Sequence, residues 1–251
     1  MKIDLTGKVA VITGGSRGLG KAMAETLSQA GAKIALIARN EEKLTETRDE
    51  LIAAGGEAEY FMGDVTDEEE VARIAKEVNA RFGAPHILIN NAGTNCRTHL
   101  VDATLADFEG VVDSSLKSAF LVSRAFVPGM REHGWGRVIN MTSILSHIGL
   151  PARTPYCSAK FGLLGMTKAL SLELAPEGIT VNGISPGPCG TEMNHAVMND
   201  PEANAQFLKN LPVGRWGNVE EIGALACYIC SDLAGFLTGT DIVIDGGWTA
   251  R

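Results

Sequence analysis

The stretch that most constrains this chain runs from Lys8 to Arg39. Val9 to Ile12 is a short, uninterrupted apolar run with β-branched residues, which predicts a strand buried on both faces, as a parallel sheet requires. A glycine cluster follows. From Arg17 onward the apolar positions Leu19, Ala22, Met23, Ala24, Leu27 and Ala30 recur at helical spacing, until Gly31 supplies a left-handed stop. Lys33 to Ile37 reads as a second strand, so strand, tight turn, helix and strand fall within ~30 residues.

The glycines are spaced Thr13-Gly14-x-x-x-Gly18-x-Gly20, which differs from the commoner G-x-G-x-x-G pattern. Glycine is needed there if the backbone must turn sharply and approach a pyrophosphate whose charge sits on the free amides of a helix N-terminus. A plain strand-to-helix turn is the alternative, and the flanking strand and helix favour dinucleotide binding. The second strand ends in Ala38-Arg39-Asn40. A site that selects NAD usually places a carboxylate at this strand end to hold the ribose 2′-hydroxyl, whereas a 2′-phosphate needs a cation. Arg39 and Arg17 face the same corner and point to NADP, with two solvated surface arginines as the alternative.

The alternation continues. Glu41 to Ala54 is an amphipathic helix closed by Gly55-Gly56, and Ala58 to Met62 is a strand that ends at Gly63-Asp64-Val65. Glu68 to Phe82 is a helix, and His86 to Ile89 a strand that runs into Asn90-Asn91-Ala92-Gly93. Val111 to Met130 is apolar on more than one face, as is Phe161 to Leu174, which predicts a homo-oligomer, a tetramer. Short connections and no composition break over 251 residues predict an α/β fold, a doubly wound parallel sheet with helices on both faces, in a single domain spanning 1–251. No run of 18 apolar residues is present, and the N-terminus lacks the apolar core of a signal peptide. The net charge of −8 disfavours nucleic acid and anionic membranes. The expectation is a cytoplasmic protein acting on a small molecule. Five cysteines at irregular positions argue against a disulfide framework. Cys227-x-x-Cys230 falls in a helical run, Val219 to Ser231, and reads as buried and apolar, so no metal site is expected.

The second half carries the chemistry. A strand from Arg137 to Thr142 ends at Ser143, and Thr154-Pro155-Tyr156-Cys157-Ser158-Ala159-Lys160 follows. Thr154 can cap a helix and Pro155 suits its first position, which puts Tyr156 and Lys160 at i and i+4 on one face. A phenol, with a reference pKa of ~10, is a poor base at neutral pH. An ammonium about 4 Å away at an effective dielectric near 20 stabilises the phenolate by up to ~4 kcal/mol, roughly three pKa units before desolvation subtracts. A serine hydroxyl at a neighbouring strand end can hydrogen-bond the substrate oxygen as its charge changes.

Taken together, Thr13-Gly14-x-x-x-Gly18-x-Gly20, Asp64-Val65, Asn90-Asn91-Ala92-Gly93, Ser143 with Tyr156 and Lys160, Ser185-Pro186-Gly187 and Asp245-Gly246-Gly247 resemble the short-chain dehydrogenase/reductase family over essentially the whole chain. The resemblance, which extends to 3-oxoacyl-carrier-protein reductases and gluconate 5-dehydrogenase-like enzymes, implies a Rossmann-like fold. It also implies hydride transfer between NADP(H) and a carbonyl or alcohol on a small substrate, such as a sugar acid or another hydroxy or keto compound. Tyr156 would be the acid/base, Ser143 would position the oxygen, and Lys160 would lower the tyrosine pKa and hold the nicotinamide ribose. Gly14, Ser16, Arg17, Gly18, Leu19 and Gly20 would cradle the cofactor with Arg39. Asp64 and Val65 would meet the adenine, Asn90 with Asn91, Ala92 and Gly93 the adenosine side, and Pro186, Gly187 and Thr191 the nicotinamide. Ser115 stands where the family has an asparagine that holds a relay water, so the proton relay would fall to a serine. Residues 188–212 resemble a mobile substrate lid. An acyl-carrier-protein reductase is the first alternative, resting on Arg124 and Arg131, although Pro128 and Leu172 stand where such enzymes carry cations. A non-catalytic redox sensor is the second. Arg97 and Arg153 are candidates to receive a carboxylate.

Overall fold

The computed structural model describes residues 3–250, apart from the side chain of Met193; residues 1, 2 and 251 of the expected domain lie outside the described residues. Seven parallel strands form one sheet in the order β3-β2-β1-β4-β5-β6-β7. The strands are β1 (Val9–Thr13), β2 (Lys33–Ala38), β3 (Ala58–Met62), β4 (Ile87–Asn90), β5 (Gly136–Met141), β6 (Ile179–Pro186) and β7 (Asp241–Ile244). The chain winds outward from β1 to β3, returns to β4 on the other side of β1, and winds outward again. The strand order therefore reverses between β1 and β4, which is where α/β sheets open a crevice at their carboxyl ends.

Helices cover both faces, which is why the strands are apolar throughout rather than alternating. Ala10 and Ile12 of β1 pack in one core with Met23 and Leu27 of α1 (Gly18–Gln29), Leu44 and Leu51 of α2 (Glu41–Ala53), and Ile222 and Ala226 of the C-terminal helix Val219–Cys230. Val11 faces the opposite core. It packs there with Val71, Ile74 and Val78 of α3 (Glu68–Phe82), and with residues such as Phe126. Cys227 and Cys230 lie in the first core, and burial pushes both thiols up, as expected of small apolar residues. Among the described residues no helix is long and apolar enough to cross a membrane.

Most boundaries fall within a residue of expectation. The fourth strand starts at Ile87 rather than His86, because the His86 ring itself takes the Val9 N–H, at 3.3 Å from Nδ1. Thr154 does not cap: it is the first helical residue of α6 (Thr154–Leu174), with Arg153 at the N-cap and no side chain bonded there. The larger difference is in the apolar run 111–130. It divides into α4 (Leu105–Val112), a π-helical turn Asp113–Lys117 and α5 (Ser118–His133). Serine hydroxyls explain the widening: Ser114 Oγ donates back to Val111 O at 3.2 Å and Ser118 Oγ to Ser114 O at 2.7 Å, and such back-bonding competes with the helical ladder. Ser115 sits in that turn. Segment 188–212 holds α7 (His195–Met198) and α8 (Pro201–Leu208), and Val219–Cys230 is α9. Phe207 of α8 stacks on Trp216 at 4.5 Å and lies 5.1 Å from Trp248, which anchors the segment over the carboxyl ends of the strands.

Candidate active site

The crevice above β1 and β4 has a volume of about 700 Å³ and is bounded by Gly14, Ser16, Arg17, Arg39, Asp64 and Asn91, among others. Arg17 is the N-cap of α1 and adds no side-chain cap, and no acidic residue occupies the first turn, so the opening amides of the helix are left for an external anion. The glycines are there for want of room. A Cβ on Gly20 would lie 2.2 Å from Gly14 O, and one on Gly14 would lie 2.8 Å from Asn91 Nδ2. Asn91 holds the turn by donating to Thr13 O at 2.9 Å and Gly14 O at 3.1 Å. Thr13 Oγ1 in return accepts the amides of Asn91 and Ala92, both at 3.0 Å, tying the end of β4 to the end of β1. A backbone cradle with unbonded helix amides fits the pyrophosphate of a dinucleotide.

Beside it lies a second cavity of about 290 Å³, lined by Ser143, Tyr156, Lys160, Pro186, Gly187 and Thr191. Ser143 leaves the end of β5, and its Oγ accepts from Leu145 N at 3.1 Å. The Tyr156 hydroxyl faces Ser143, and Lys160 stands one helical turn below with Nζ 5.5 Å from the tyrosine ring centre. Helical spacing brings the two residues to one face, but the electrostatics differ from expectation. Burial pushes the Tyr156 phenol above its ordinary value, opposed by the Ser143 hydrogen bond and the Arg153 charge. The Lys160 ammonium donates to Met141 O at 2.6 Å. Burial brings Lys160 itself down to about 8, with Asp241 opposing. At neutral pH the pair is a protonated phenol and an ammonium, a state ready to donate a proton to a carbonyl oxygen.

Residues 14–249 match the family model described as enoyl-(acyl carrier protein) reductase. The chain is 37% identical to the 3-oxoacyl-(acyl-carrier-protein) reductase FabG of Pseudomonas aeruginosa, over 98% of each protein. It is 34% identical to the D-beta-hydroxybutyrate dehydrogenase of Rhizobium meliloti, over 97% of this chain and 99% of that one. The crystal structure of a gluconate 5-dehydrogenase from Burkholderia cenocepacia, in complex with NADP and tartrate, superposes with a TM-score of 0.95 at 34% identity, covering 100% of this chain and 98% of that one. The chain belongs to the short-chain dehydrogenase/reductase family. As a member it is an oxidoreductase that works by NAD(P)-dependent hydride transfer.

In this short-chain dehydrogenase/reductase Gly14, Ser16, Arg17, Arg39, Asp64, Val65, Asn91, Ala92 and Gly93 line the larger crevice, and Leu19, Tyr156, Lys160, Pro186, Gly187 and Thr191 line the cavity beside it, while Gly18, Gly20 and Asn90 line neither. The Asn90 side chain turns away from both, donating to Ser123 Oγ at 3.0 Å and Asn140 Oδ1 at 2.8 Å inside the molecule. Both arginines of the adenosine corner already face carboxylates: Arg39 lies 3.4 Å from Asp64, and Arg17 lies 3.2 Å from Glu192. Asp64 thus supplies the anion that Ala38 was expected to remove. Ser115 Oγ is buried with no partner, and a Cβ on Gly93 would lie 3.0 Å from it and 3.8 Å from Lys160 Nζ, so both atoms converge on Gly93. Sequence reading missed Lys43, 3.7 Å from Glu192, and Asp241, which draws Thr142, His147 and Ser185 together behind the catalytic strand end. The signals were a cation in the first turn after Arg39 and a carboxylate opening an otherwise apolar strand.

Proposed function

We propose that this enzyme interconverts a keto and a hydroxy group on a small carboxylate-bearing substrate, with NADP(H) as the preferred cofactor. The observation that carries the reading is the charge of the substrate cavity. Its charged lining residues are Arg97, Arg153 and Lys160, with no carboxylate among them. Arg153 is half-buried beside Arg97; the loss of water, and after it the Arg97 charge, lower its pKa, and its own contact is the Cys96 carbonyl at 3.4 Å. Two adjacent guanidinium groups without a facing carboxylate, in a protein of net charge −8, call for an anionic ligand. The Burkholderia relative was crystallised with tartrate, a dicarboxylic acid, which supports the same chemistry.

In this reading Tyr156 gives its proton to the carbonyl oxygen, or takes it from the alcohol in the reverse direction. Ser143 hydrogen-bonds the same oxygen. Lys160 holds positive charge beneath the tyrosine, and Ser115 offers its unbonded hydroxyl to a water that returns the proton. The bound nicotinamide supplies or accepts the hydride. Residues 188–212 act as a lid, in one domain with the sheet. The acyl-carrier alternative rests on the FabG relative and on Arg124 and Arg131, which pair at the surface with Glu68 and Glu177. Large apolar side chains lie exposed on α5 and α6 (Phe120, Phe161, Leu172) and in or after α9 (Tyr228, Phe236), which supports a homotetramer, and the reading keeps the cytoplasm as its place of work. Light scattering gives four times the chain mass if this holds, and a monomer contradicts it.

The substrate reading is tested with keto acids and their uncharged amides or alcohols, with NADPH oxidation followed by absorbance. Keto acids turn over preferentially, and Arg153→Ala raises KM for them by about 10-fold, the low end for a charge-assisted hydrogen bond, while leaving uncharged ketones unchanged. Equal turnover of neutral and anionic substrates overturns it, and failure of every substrate with retained NADPH binding favours the redox sensor.

A further inference from the structure

Behind the strand end that carries Ser143 lies a polar cluster that the chemistry above does not use. Asp241 opens β7, and its carboxylate is 4% exposed. A carboxylate taken out of water must be hydrogen-bonded or paired. Oδ1 lies 2.6 Å from Thr142 Oγ1, and Oδ2 lies 2.7 Å from Ser185 Oγ and 2.8 Å from His147 Nε2. Four segments meet at this one group: the end of β5, the turn after Ser143, β6 and β7.

The protons can be counted. Thr142 Oγ1 also faces Ile184 O at 2.6 Å, and Ser185 Oγ faces Ser143 O at 2.9 Å. Each hydroxyl has one proton, so two protons serve two carbonyls and two carboxylate oxygens. His147 in the tautomer with its proton on Nε2 supplies the third. Its ring is a third exposed and opens the cluster to solvent. The same nitrogen faces Ser185 at 3.3 Å, so the arrangement is not a nucleophilic triad, in which the acid and the nucleophile engage different ring nitrogens. The cluster instead grips the segment Met141 to Ser143. Met141 O holds the Lys160 ammonium, Thr142 bonds Asp241, and Ser143 O accepts from Ser185.

We propose that Asp241, with His147 completing its hydrogen bonds on the solvent side, is a positioning residue for the reaction: it fixes the Met141–Ser143 segment and provides the counter-charge to Lys160. The proposal rests on the reading of Tyr156 and Lys160 as the acid/base pair. The titratable groups that act on this pair are Asp241 on β7 for Lys160, and Arg153 and Cys157 for Tyr156. His147 faces Asp241.

Asp241→Asn keeps the shape and removes the charge. The alkaline limb of the pH profile of kcat/KM, where Lys160 loses its proton, moves down by about one pH unit for a charge pair at an effective dielectric near 20. Acetylation of Lys160 by acetic anhydride in the cofactor-free enzyme, read by mass spectrometry across pH, moves by the same amount. Asp241→Glu restores both. His147→Gln retains a donor and leaves the limb in place. An unmoved labelling curve in a folded Asp241→Asn enzyme overturns the proposal. If that variant does not fold, a limb shifted downward in Asp241→Glu overturns it equally. Should Tyr156→Phe retain full turnover while the Lys160 labelling curve still moves, the acid/base reading fails and the role of Asp241 as counter-charge stands.

Discussion

Arg39→Ala tests how the adenosine corner selects its cofactor. Arg39 follows β2 directly, its side chain is 72% exposed, and Nη1 lies 3.4 Å from Asp64 Oδ2. A 2′-phosphate at this corner would gain a charge-assisted hydrogen bond of roughly 1.5–3 kcal/mol. Two costs reduce it. Arg39 must leave Asp64, an exposed pair contributing roughly 0–1 kcal/mol, and solvent screening about halves what remains. The net is about 1 kcal/mol, or roughly fivefold. Arg17 adds less, because Glu192 must first release it. The expected result is a roughly fivefold fall in kcat/KM for NADP(H) in Arg39→Ala, with the NAD(H) value unchanged. Asp64→Asn should act in the opposite sense. Its Oδ1 still accepts from Thr66 N and Oγ1, at 2.9 Å and 2.8 Å, while the charge that repels the phosphate is gone. Steady-state rates with both cofactors at fixed ionic strength decide the matter. Equal losses with NADP and NAD would refute the assignment, since a residue that reads the 2′-phosphate cannot affect a cofactor that lacks one.

Three further outcomes are expected. Tyr156→Phe lowers kcat by 10²–10⁴-fold, the usual range for general acid/base catalysis, and leaves NADPH binding intact by fluorescence titration; retention of more than about a tenth of the rate removes Tyr156 from the chemistry. Ser115→Asn keeps or raises the rate, because it adds a hydrogen-bonding arm where Ser115 Oγ now has no partner; a lower rate with an unchanged Tm counts against a relay role. His86 is held down to about 4, by burial and then by the neighbouring charges of His133 and Lys8, so between about 4 and 6.5 the unfolded chain binds more protons than the folded one. Its contribution is complete above pH ~6.5 and is lost as the pH falls toward 4; discounted for partial exposure it amounts to about 1–2 kcal/mol, which urea unfolding of wild type and His86→Gln at the two pH values should show.

Local periodicity was enough to read the alternation of strands and helices, the glycine cradle, and the placement of Tyr156 and Lys160 on one helix face. These depend on neighbours within a few positions, and apolar spacing reports them directly. The sequence by itself also determined the reaction family, since the Gly14–Gly20 turn, Ser143, Tyr156 and Lys160 are of defined chemical types in a defined order. Only the tertiary structure decided the electrostatics. Lys160 donates to Met141 O, Asp64 and Glu192 face the arginines expected to meet a phosphate, and Asn90 points inward to Ser123 and Asn140. The π turn at Ser115 and the bonds around Asp241 were likewise hidden. Asp241 lies 99 residues from Thr142 and 94 from His147 along the chain. Burial and charge pairing arise from segments that meet only when the sheet closes, and a linear pattern does not record which carboxylate will face which cation.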